Sequence, residues 1–160
     1  MRDQRFIAEH RGGPLDIKRH RLLARWAADC AEHLMHHFTC VSDDERPLRA
    51  IDLAREWAQG KVSTGACMKA SVAAHAAARA VEDPAAVAAA RAAGHAVATA
   101  HFAEHALGPV VYGRKTKLAA GESFARELTW QKKKLPAGVR VLVLSALQNP
   151  RFAATTKRTK

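Results

Sequence analysis

Residues 70–107 read ASVAAHAAARAVEDPAAVAAARAAGHAVATAHFAEHAL. Alanine has the highest helix propensity and the smallest side chain of the good helix formers. A run this rich in it predicts helices that approach one another closely. Asp83-Pro84 divides the run, with aspartate suited to an N-cap and proline to the first helical position. One helix is therefore expected from a Ser63 cap to about Val81, and a second from Asp83 to about Leu107, stopped by Gly108-Pro109. The pair folds back as a tight antiparallel hairpin with a seam of imidazoles between its arms.

The flanking sequence is read in the same way. Residues 1–15 form an arm, expected to be extended, ending at the turn signal Gly12-Gly13-Pro14. Asp16 caps a helix from Ile17 to Phe38, whose periodic apolar residues are Leu23, Trp26, Ala27, Cys30, Leu34 and Phe38. Pro47 opens a second helix that ends before Gly60. Beyond the hairpin, a short helix over Val110–Leu118 is broken at Gly113, and another spans about Glu122–Lys134. Val139–Leu147 alternates at first like a strand, but a lone strand leaves its hydrogen bonds unmade, which favours a buried helix. The expectation is an all-α, single-domain bundle of six to seven helices with the Ala-rich hairpin at its centre. The domain covers residues 1–148, and residues 149–160 are a basic flexible tail.

The chain has 160 residues, enough to bury a core without staples. Three cysteines (Cys30, Cys40, Cys67) without CxxC spacing argue against a disulfide scaffold and for a reducing compartment. No signal-peptide pattern opens the chain, and no apolar run reaches the length of a membrane span. These features point to the cytoplasm and away from membranes. The net charge of +11 is unevenly spread: residues 1–113 carry a balance of +1 and residues 114–160 a balance of +10. Arg114, Lys115, Lys117, Lys132, Lys133 and Lys134 form the basic patch of that pole, a candidate for non-specific phosphate contacts.

Two constellations could carry chemistry. Positions equidistant from the hairpin turn bring His75, Arg79, Arg91 and His95 to one level, where they either fix helix register or line a pocket for an anion or small ligand. His101, Glu104 and His105 form HFAEH, which matches an H-x-x-E-H metallopeptidase pattern and would set His101 and His105 on one helix face. No third metal ligand follows at a convincing spacing. There is no GxSxG, P-loop or GxGxxG, and Cys30 and Cys67 read as small core residues. The three tryptophans, Trp26, Trp57 and Trp130, read as core anchors. Nothing calls for a cofactor.

FIAEHRGGPLDIKRHRLLARWAADCAEH (Phe6–His33), ERPLRAIDLAREWAQG (Glu45–Gly60) and the AHAAAR…AARAAGHAVATAH blocks between Ala74 and His101 occur in this order. Together they resemble the immunity-protein-5-like group of bacterial immunity proteins, over about residues 6–148. The resemblance implies an all-helical, non-enzymatic cytoplasmic protein that binds and neutralises a partner toxin in bacterial conflict. It transfers no catalytic residue. The competing readings are nucleic-acid binding through the basic C-terminal third and metal or ligand binding through the histidine seam. The oligomeric state is left open.

Overall fold

Four helices of this chain begin at a side chain that closes their first turn. Asp16, Ser63, Asp83 and Ser123 each accept a hydrogen bond from the backbone N–H three residues on. Each thereby satisfies a donor that the helix itself cannot. The computed structural model describes residues 2–152 and is all-helical. Its helices are α1 (Ile17–Leu34), α2 (His36–Thr39), α3 (Arg46–Ala58), α4 (Thr64–Arg79), α5 (Pro84–Ala98), α6 (Gly108–Ala119), α7 (Phe124–Lys133) and α8 (Ala137–Ala146). These eight exceed the expected six to seven because the first predicted helix divides at Met35 into α1 and the short α2.

α4 and α5 form the hairpin that the alanine run predicts, but only α5 lies at the centre: α4 packs chiefly on α3 and α5, with Met68 and Val72 exposed on its outer face. In α5 every residue except Pro84, Val87, Arg91 and His95 is buried. The helix packs on α1, α3, α4 and α6 at once. Only small side chains allow one helix to be enclosed on so many sides, since each neighbour must come near its backbone. Across the seam Ser71 Oγ donates to the Gly94 carbonyl at 3.0 Å, a buried bond that fixes the register of α4 on α5. On the outside, Arg55 of α3 reaches Asp29 and Glu32 of α1 at 2.7 Å each, tying those helices at the surface.

Five local expectations need correction. Residues 1–15 are not an extended arm where described: Gln4–Phe6 and Glu9–Arg11 are 3-10 turns, Ala8 bridges Leu15, and Phe6 and Leu15 are buried. Leu15 supplies an apolar anchor that draws the segment onto the core.

The fourth predicted helix does not reach Leu107. It ends at Ala98, and Ala103–Leu107 is a separate 3-10 segment after the extended Phe102. His20 of α1 takes the Thr99 carbonyl at 2.6 Å, occupying the acceptor that a continuing helix would use. A carbonyl only accepts, so His20 Nε2 carries the proton.

Gly108-Pro109 starts α6 instead of stopping a helix. Gly113 does not interrupt α6 but lets it lie against α7, where an added Cβ would stand 3.0 Å from Gln131 Nε2. At the C-terminus, Phe152 is buried and Arg151 pairs with Glu104 at 3.2 Å, so the predicted tail is docked at its start. Residues 153–160 lie outside the described residues. Val139–Leu147 is helical as expected, with Val139, Val143 and Ala146 buried and Val141 81% exposed on the other face.

Candidate functional site

The four histidines of the alanine run form a line. His75 (α4) and His95 (α5) meet edge to face with ring centroids 5.5 Å apart. His95 and His105 follow at 5.1 Å, and His105 and His101 at 5.4 Å. The His95 and His105 Nδ1 atoms are 3.2 Å apart, so in the neutral state one donates to the other. The Nδ1 atoms of His75 and His101 are buried without a hydrogen-bond partner among the described residues.

Two glycines make the line possible. A Cβ on Gly94 would stand 2.8 Å from the His75 ring, and one on Gly108 would stand 2.4 Å from His95 Cβ. Without side chains there, the His75 ring lies over α5 and the start of α6 presses on His95. Glycine within an alanine helix costs stability, and that cost was the available sequence signal for a packing role.

The surroundings keep these imidazoles neutral. Burial first, then His105, His75, Arg91 and Lys115, lowers the His95 pKa to about 4. Burial also lowers His75, helped by Arg91 and Arg79. His105 is lowered by burial and then by His101, with Glu104 opposing; His101 is lowered by burial and then by Arg11. Desolvation penalises imidazolium, and neighbouring cations add to it.

The line opens into a cavity of about 630 Å³ bordered by His95, His101, His105, Phe102 and Tyr112. Arg2 lies over the Phe102 ring at 3.9 Å, and Tyr112 tilts against His95 at 5.0 Å. Arg2, Arg11, Phe102 and Tyr112 carry no motif, and only the fold assembles them here.

The other candidates are dispersed. Of the predicted quartet, His75 and His95 touch, Arg91 is half-buried beside them, and Arg79 is exposed at the end of α4. His101 and His105 do not share an α-helical turn, because His101 precedes the 3-10 segment. Glu104 turns to Arg151 and the Asp3 backbone N–H. Among the described residues, the three-residue group whose donor atoms fall within 4.8 Å of one another is His36, His37 and Glu122. The Lys117 ammonium already stands there, 2.6 Å from Glu122 and 3.4 Å from His37 Nε2.

Lys117 is thereby buried and withdrawn from the basic patch. Lys115, Lys133 and Lys134 are exposed, Arg114 and Lys132 half-buried. The ammonium groups of Lys115 and Lys134 lie over Tyr112 and Trp130.

Trp130 is not a core anchor: it is half-buried and stacks on His33 with centroids 3.7 Å apart. His33 Nδ1 donates to Glu127 Oε2 at 2.9 Å, and Gln131 Nε2 donates to Glu127 Oε1 at the same distance. This network binds α1 to α7 and escaped sequence reading, because Glu127 looks like a surface acid yet is only 3% exposed.

A family model described as "Imm-5 like putative immunity protein" matches residues 13–138. That span runs from the N-terminal turn into the start of α8 and contains the whole hairpin. Neither the curated proteins nor the solved structures contain a match.

Proposed function

The chain belongs to the Imm-5-like putative immunity protein family, and on that premise we propose that it binds a partner toxin and neutralises it without a chemical step of its own. The observation that carries this reading is the family match across α1 to α7. The disposition of the reactive groups supports it. Burial raises the Cys30 thiol well above its ordinary value and pushes Cys67 up to about 11, so neither is a thiolate nucleophile near neutrality. The histidine line consists of imidazoles facing one another, and the described residues of the cavity lining include no serine, threonine or cysteine. No described helix is long and apolar enough to cross a membrane. We place the neutralising contact in the cytoplasm.

The test is co-expression with each protein encoded next to the gene for this chain, screened first for toxicity. Protection from killing and a stoichiometric complex on size exclusion are expected. Absence of both rejects the reading. Nucleic-acid binding by the basic pole is the alternative outcome. It would show as affinity for random duplex DNA that falls steeply with salt, in the absence of any toxin complex.

A further inference from the structure

The cavity at the end of the histidine line has a marked charge asymmetry. Arg2, Arg11 and Arg151 border it, and three neutral imidazoles face into it. Among the described residues of the lining Glu104 is the one carboxylate, and Arg151 engages it at 3.2 Å. A metal cation would therefore meet guanidinium groups, whereas an anion would meet N–H donors and positive charge. His101 Nδ1, on the same wall of the cavity, is buried and has no hydrogen-bond partner among the described residues. Phe102, Leu107, Val111 and Phe152 complete the lining with apolar surface, which inorganic anions do not use. The volume, about 630 Å³, falls within the range of small-molecule pockets, roughly 300–1,000 Å³.

We propose that this cavity binds a small organic carboxylate. Its acid group is held by His101, His105, Arg2 and Arg11, and its apolar part lies against Phe102 and Val111. The site is independent of toxin neutralisation and can be measured on the purified full chain alone.

The arrangement also sets the pH response. His95 faces His75 on α4, Arg91 on α5, His105 on the 3-10 segment, and Lys115 and Tyr112 on α6. His105 faces His101, Glu104, His75 and Arg2, and His101 faces Arg11. A bound carboxylate introduces a negative charge beside imidazoles that these neighbours hold neutral. It raises their proton affinity, so binding takes up protons and tightens as pH falls toward 5.5.

The experiment is calorimetric titration of the protein with benzoate and with hexanoate, with benzyl alcohol and inorganic phosphate as controls. Histidine side-chain NMR is followed in parallel. Saturable carboxylate binding is expected, tighter at about pH 5.5 than at about pH 7.5, with shifts at His101 and His105. Benzyl alcohol and phosphate should bind at least about tenfold more weakly, since one lacks the charge and the other the apolar body. Arg11→Gln, at an exposed position that leaves the fold intact, should weaken binding roughly tenfold, and His105→Asn should do the same and flatten the pH response. Three results each overturn the proposal: no saturable binding of either carboxylate, equal binding of phosphate, or stoichiometric zinc uptake that His105→Asn abolishes. Carboxylate affinity unchanged in both variants would also reject this location.

Discussion

His95 concentrates the energetics of the seam in one side chain. Its pKa, lowered to about 4, lies below that of an imidazole in the unfolded chain, about 6.5. Between those values the unfolded state binds more protons, so stability rises with pH through this window and is fully present above it. The span corresponds to about 3 kcal/mol if fully expressed. Urea unfolding should show stability falling from about pH 6.5 toward pH 4.5, and His95→Phe should flatten that slope. An unchanged slope in the variant would remove His95 from the account.

The glycines beside it give a second residue-scale prediction. Gly108→Ala sets a Cβ 2.4 Å from His95 Cβ, which is rigidly attached to α5, so a loss of about 1–3 kcal/mol is expected. Gly94→Ala meets the far end of the His75 ring, which can turn away, and gains roughly 0.5–1 kcal/mol of helix propensity. Chemical denaturation should therefore rank Gly108→Ala as the more damaging. His75→Ala should make Gly94→Ala neutral or stabilising. His75→Ala or His95→Ala should also cost more stability than His36→Ala, because His36 is exposed.

At the scale of the element, the caps Asp16, Ser63 and Asp83 were legible, as was the end of α3 before Gly60, but the Ser123 cap and the end of α5 were not. Asp83 accepts from the Ala86 N–H at 2.8 Å at the start of the central helix, and Asp83→Ala should cost about 1 kcal/mol in a thermal or urea melt. The cap could be found in sequence because it is local, an aspartate followed by proline and a helix-forming run. The end of α5 could not, because the group that takes the Thr99 carbonyl is His20, on another helix. His20→Leu should therefore loosen the segment after Ala98, seen as faster amide exchange over residues 99–107. The same tertiary origin explains why HFAEH is not an α-helical metal motif and why Gly113 joins α6 instead of breaking it. An added Cβ there would meet Gln131 of α7 within the helix interface.

Over the whole molecule, charge and shape divide the labour. The +10 balance of residues 114–160 is a property of composition, while burial in the fold removes Lys117 from its surface. If the remaining lysines steer a toxin, the combined replacement of Lys132, Lys133 and Lys134 by Gln should slow association roughly tenfold at low ionic strength. Dissociation should be little changed, and the difference should vanish at high salt. Stopped-flow binding at two salt concentrations reads this directly, and an unaltered association rate would exclude that face as the docking surface.

The sequence by itself determined the all-helical class, three of the four α-helix side-chain caps, the alanine hairpin and the family, because propensity, capping and period act over a few residues and the family blocks are linear. The tertiary structure alone decided where α5 ends, which rings of the histidine line touch, which lysine of the basic patch is buried, and how Arg2, Arg11 and Phe102 come to surround His101 and His105. Those outcomes depend on groups far apart in the chain competing for the same carbonyl, cavity or charge. No local pattern encodes such a competition until the helices have packed.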